Sequence, residues 1–98
     1  MITHMVMFRW KPDLPAGHVA TIAAVLDGLP PAIDAIQSYR HGADLGVGGA
    51  TACDYAIVAT FDDIDGWRNY DQHPAHEAAR DGVIRPWIAE RWNVQFES

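Results

Sequence analysis

Two stretches of this chain are apolar on both alternating faces. Ile2 to Trp10 reads as a strand with His4, Val6, Phe8 and Trp10 on one face and Met5 and Met7 on the other. Tyr55 to Phe61 repeats the pattern: Tyr55, Ile57, Ala59 and Phe61 point one way, Ala56 and Val58 the other. Between them Val19, Ile22, Ala23, Leu26 and Leu29 recur at helical spacing. They predict a helix from about Pro15 or Ala16 to Leu29, stopped by Pro30 and Pro31. Ile36 to Asp44 is a weaker strand of mixed pattern, and Gly46 to Ala50 is a flexible connection. Asp63 is placed to cap a helix through Trp67 and Tyr70. His73-Pro74 interrupts it, and a second helical piece starts there and runs to about Ile84. Arg91 to Glu97 alternates cleanly, which predicts Trp92, Val94 and Phe96 facing in and Arg91, Asn93 and Gln95 facing out.

The resulting order, β-α-β-β-α-β, is an α+β, ferredoxin-like arrangement with a four-stranded antiparallel sheet. That topology puts the first and third strands at the centre, and these are the two doubly apolar ones. Two helices cover only one face of such a sheet. The other face would expose an apolar patch that monomers rarely tolerate. A single domain spanning residues 1–98 that works as a homodimer, sheet against sheet, is the expected solution.

Composition removes whole classes of function. A formal net charge of -6, with only seven scattered Lys and Arg residues, does not suit a nucleic-acid binder, which needs a basic stripe. No basic amphipathic helix and no apolar run of about 20 residues points to a membrane. Cys53 is the only cysteine, so no disulfide forms within the chain and no multi-cysteine zinc site is available. The apolar run from Met1 to Trp10 is short for a signal peptide. The expectation is a soluble cytoplasmic protein.

The opening Ile2-Thr3-His4-Met5-Val6-Met7-Phe8-Arg9-Trp10-Lys11 and the stretch Asp54 to Asp62 resemble the stress-responsive dimeric α/β-barrel family. The most specific piece is Tyr70-Asp71-Gln72-His73-Pro74-Ala75-His76, which matches a Tyr-x-x-His-Pro-x-His signature of that family. The resemblance covers essentially the whole chain and implies a barrel of two ferredoxin-like protomers. In the family's plant polyketide cyclase branch, the matching positions imply His76 as base and Tyr70 as its assistant in a cofactor-free aldol closure. They also imply pocket roles for His4 and His73. Tyr55 stands where that branch has a further histidine, which sets this pocket apart.

An aldol or related lyase step needs a base and a donor for the developing oxyanion. Histidine suits the first role, having an ordinary proton affinity close to working pH. Tyrosine suits the second. His76 and Tyr70 are therefore the candidate catalytic pair, with His4, Val6, Phe8, His73, Ile57 and Ala59 as candidate substrate-binding residues. The plainer alternatives are that His73 closes a turn, His76 bonds a backbone carbonyl, and His4 is a satisfied core histidine. His18 and His41 read as solvent-facing. Pro74 spoils the regular two-histidine spacing of a helical zinc site, so no metal is expected at His73 and His76. The Gly46-Val47-Gly48-Gly49 run lacks the Lys-Ser/Thr of a phosphate loop. Three functions compete: a cofactor-free cyclase or lyase acting on a small, partly apolar carbonyl compound; a non-catalytic small-molecule-binding or stress-protection dimer; and a scaffold without a pocket.

Overall fold

The computed structural model describes all residues, 1–98. Strand β1 (Ile2–Trp10) leads to helix α1 (His18–Asp27) and a short helix α2 (Leu29–Ala32). Strands β2 (Ser38–Ala43) and β3 (Tyr55–Phe61) follow, then helices α3 (Ile64–Gln72) and α4 (Pro74–Ala79). A π-helical turn (Arg80–Ile84) and a 3-10 turn (Arg85–Trp87) deliver the chain into strand β4 (Ile88–Glu97). The sheet is antiparallel throughout, in the order β2-β3-β1-β4. The fold is thus ferredoxin-like α+β, with β1 and β3 in the centre.

The register explains the core. His4 lies opposite Ala59 and Val6 opposite Ile57, so these side chains share the helix-facing side of the sheet. Ile22 and Leu26 of α1, Leu29, Ile33 and Tyr70 close over them with Phe61 beneath, all almost fully buried. Burying one such aliphatic or aromatic side chain contributes about 1.5–3 kcal/mol.

Three expectations need correction. Helix α1 is shorter at both ends than its apolar stripe suggests. It starts after Gly17, whose φ of 83° only glycine adopts at little cost, and stops at Gly28. Pro30 and Pro31 do not end a helix. They sit in the first turn of α2, where the missing N–H would have had no partner anyway. The faces of β4 are reversed. Gln95 pairs with His4, Asn93 with Val6 and Arg91 with Phe8, so the polar residues lie on the helix side. Trp92, Val94 and Phe96 lie on the open face beside Met5 and Met7, and are 41%, 52% and 44% exposed. Alternation shows that a strand has two unlike faces. It does not show which of them meets the helices.

The cap at Asp63 is present, with its side chain accepting the Gly66 N–H at 2.8 Å. Asp63→Ala should cost about 1 kcal/mol of folding free energy, because the first turn of α3 loses that acceptor. Equilibrium urea unfolding measures it. An unchanged midpoint would mean that water replaces the cap without loss.

Candidate active site

The pocket arises where α3 hands over to α4. Proline cannot continue a helix, so the backbone extends at His73 before turning again. The His73 ring accepts the Ala75 N–H through Nδ1 at 3.1 Å and so starts α4. This break brings His76 back beneath Tyr70, with ring centroids 4.2 Å apart. His4 approaches Tyr70 from β1, at 5.8 Å between centroids.

These three rings share a pocket with an apolar floor of Val6, Phe8, Leu26, Ile57, Ile84 and Ile88. Its rim is polar: Asp71, Arg80, Arg85 and Arg91. The π turn supplies Arg80 and Ile84; such turns are rare and recur at functional sites. The cavity measures about 40 Å³, room for roughly three water molecules.

Hydrogen bonds set the tautomers. The His76 Nδ1 lies 3.0 Å from the Asp71 carbonyl oxygen, which can only accept. Nδ1 therefore carries the hydrogen, and Nε2 holds a free lone pair with no partner in the chain. The Gln95 amide donates to His4 Nδ1 at 3.2 Å, and to Asn93 Oδ1 at 2.9 Å. His4 therefore carries its hydrogen on Nε2. One neutral imidazole offers the pocket an acceptor, the other a donor.

Burial keeps both rings neutral. It lowers the His4 pKa from 6.5 to about 4, helped by the charge of Arg91. It lowers that of His76 as well, against the pull of the Asp71 carbonyl and with help from Arg80. Tyr70 is 2% exposed, and burial raises its proton affinity, so it donates rather than ionises. Its hydroxyl is 3.0 Å from that of Tyr39, which burial also holds in the neutral form. When Tyr39 donates to it, the Tyr70 hydrogen is free for another acceptor.

Of the residues marked in the sequence, His4, Val6, Phe8, Ile57, Tyr70 and His76 meet at this pocket. Two do not. His73 is turned to its capping bond, and Ala59 is 0% exposed and does not line the cavity. The three rim arginines and Tyr39 carry no signal in the sequence that marks them for the site. Arg91 lies on the face opposite to the one that alternation predicts, and the Tyr39–Tyr70 contact joins residues far apart in sequence. His18 and His41 are not solvent-facing either. His18 donates to the Val83 carbonyl at 3.0 Å. His41 links the Tyr55 hydroxyl to Asp27, with both bonds at 2.7 Å.

A family model described as Stress responsive A/B Barrel Domain matches residues 2–98. A dimeric ferredoxin-like protein of unknown function from Thermobifida fusca YX is 40% identical, with a TM-score of 0.91 over 99% of this chain and 90% of that one. A dimeric protein of unknown function and ferredoxin-like fold from Bacteroides fragilis is 24% identical, with a TM-score of 0.84 over 99% and 95%. Hydroxynitrile lyase from Passiflora edulis is 19% identical, with a TM-score of 0.83 over 97% and 90%, a likeness of fold. No curated protein is significantly similar in sequence. No helix is long and apolar enough to cross a membrane.

The neutral state of His4 has a measurable cost in acid. Its folded pKa lies below its unfolded value, so the unfolded chain binds the proton first. Stability is full above pH 6.5 and falls as the pH drops toward about 4. The loss attributable to His4 between pH 7 and pH 4 is about 3 kcal/mol. Urea unfolding of wild type and His4→Gln at both pH values isolates this share from the carboxylates. The variant should show a shallower acid loss; parallel losses would mean that His4 is protonated in the fold.

Proposed function

Because this chain belongs to the stress-responsive A/B barrel domain family, we propose that it is a homodimer whose pocket abstracts a proton from a small carbonyl compound or its adduct, with His76 as base and no cofactor. The observation that carries this reading is the bond from His76 Nδ1 to the Asp71 carbonyl. It fixes the ring and leaves the Nε2 lone pair facing a pocket whose other two rings, Tyr70 and His4, can donate. A base and an oxyanion donor lining one cavity are the minimum for aldol or retro-aldol chemistry.

Size narrows the substrate. Pockets for drug-sized ligands run to roughly 300–1,000 Å³. A cavity of about 40 Å³ suits a short aliphatic carbonyl unit and not an extended poly-β-ketone. The Passiflora edulis relative is a hydroxynitrile lyase. The equivalent step here would pass the hydroxyl proton of the adduct to His76 Nε2. The C–C bond to the nitrile carbon would break with its electron pair leaving on that carbon, and the carbonyl would form. The same groups run in reverse would join the two parts. A non-catalytic binding role is the second reading, favoured by the engagement of the Tyr70 hydroxyl with Tyr39.

Turnover on a panel of methyl ketones, short cyanohydrins and 3-oxo acids of up to about five carbons decides between them. General base removal typically costs 10²–10⁴-fold, so His76→Ala should lose at least about 100-fold in kcat/KM while the fold and dimer persist. Because the His76 pKa is lowered, activity should hold below pH 6.5 and fail only as the ring finally protonates. Wild type that binds panel members without turning over any of them would favour the binding role.

The dimer rests on the open face. Met7, Trp92, Val94 and Phe96 are exposed there together, on the side that no helix covers. A patch of this kind marks an interface. Val94→Asp combined with Phe96→Asp should convert a dimer to a monomer or an unfolded chain in sedimentation velocity at micromolar concentration. A wild type that sediments as a monomer at the same concentration would remove this assembly.

A further inference from the structure

The rim of the pocket is charged against the trend of the whole chain. The net charge is -6 with only seven lysines and arginines, yet three arginines gather on this one cavity against a single lining carboxylate, Asp71. Two of the three are already paired. Arg80 reaches Asp81 at 2.9 Å, Asp71 at 3.8 Å and Glu77 at 4.0 Å. Arg85 reaches Asp81 at 3.4 Å. Arg91 has no carboxylate within the 4 Å reach of an ion pair, and no hydrogen bond holds its guanidinium. It stands opposite Phe8 in the register, on the side of the sheet that forms the pocket.

We propose that Arg91 is an anion-binding residue, and that the substrate of this pocket is a short oxo acid or its adduct whose carboxylate it holds at the rim, with the carbonyl end inward between His76, Tyr70 and His4. This rests on the reading of the pocket as a base-assisted carbonyl site and adds the substrate class. The chemistry fits the layout. A guanidinium grips a carboxylate through two parallel N–H donors, which fixes orientation as well as position. The apolar floor of Val6, Ile57 and Ile88 suits the short carbon chain between the two polar ends. Asp71 forms no ion pair with Arg91 and meets Arg80 instead, at 3.8 Å. An arginine kept unpaired beside Arg85 and Arg80 is left under like-charge repulsion, which a bound anion relieves.

The test uses lithium acetoacetate, its neutral ethyl ester and inorganic phosphate as probes at constant ionic strength. Binding is followed by the imidazole resonances of His4 and His76 and by calorimetry. Wild type should bind acetoacetate at least tenfold more tightly than the ester or phosphate, and Arg91→Gln should erase that preference. Arg85→Gln should reduce it less. Equal affinity for acid and ester, tightest binding of phosphate, or an unchanged preference in Arg91→Gln would each overturn the carboxylate site. None of these outcomes bears on His76, whose role as base is read separately by turnover. Conversely, Arg91-dependent acetoacetate binding with no turnover of any member of the substrate panel would uphold the anion site and sink the enzyme.

Discussion

A four-stranded sheet has two faces, and this chain has helices for only one of them. Both central strands carry apolar side chains on both sides, so the hydrophobic drive acts in two directions at once. On the helix side it is satisfied within the chain by α1, α2 and α3. On the other side Met7, Val94 and Phe96 remain in contact with water. The site depends on this division of labour. A dimer formed through the open face, as proposed, would leave the helix side free, so the pocket would sit away from the interface and be anchored on the two central strands. Sites carried on such elements are held more accurately than sites on loops.

The helix break at Pro74 converts that scaffold into chemistry. A continuous helix through this segment would keep Tyr70 and His76 in helical phase, six residues and more than one and a half turns apart. The break folds the chain back so that one ring packs on the other at 4.2 Å. His73 is the device that makes it possible, since its Nδ1 caps the new helix. The freed end of α3 supplies the Asp71 carbonyl that orients His76. The signature Tyr-x-x-His-Pro-x-His is therefore read in two ways. Its outer residues form the pocket, and its inner His-Pro pair builds the turn that brings them together.

What the chain reveals unaided follows from the range of the interaction that encodes it. The doubly apolar β1 and β3 are legible because apolar side chains predominate on both of their faces, and this also assigns them to the centre of the sheet. Tyr70 and His76 are legible through a local motif. The facing of β4 is not. Trp92, Val94 and Phe96 are the apolar set, but they serve the uncovered side, while Arg91, Asn93 and Gln95 lie on the helix side, Arg91 at the pocket rim and Gln95 bonded to His4. The roles of His41 and Tyr39 are hidden for another reason. Each depends on a hydroxyl contributed by a distant element, Tyr55 and Tyr70 respectively. The ends of α1 are hidden as well, because glycines at 17 and 28, and not the prolines beyond, set its limits.

The charges at the rim and the neutrality of the rings belong to one electrostatic design. Arg80 and Arg91 lower the proton affinity of His76, and Arg91 that of His4, in addition to the effect of burial. A neutral His76 is the form that can accept a proton, so the arginines keep the base ready. They also make it a weaker base. A carboxylate seated on Arg91 would cancel part of that positive field and raise the proton affinity of His76 at the moment the substrate is in place. The gain is greatest where screening is least, in a small cavity from which the substrate expels the remaining water. Reactivity would then follow occupancy. A neutral carbonyl compound of the same size would meet a histidine held in its less basic state, and selectivity for the acid would show in the proton-transfer step as well as in binding.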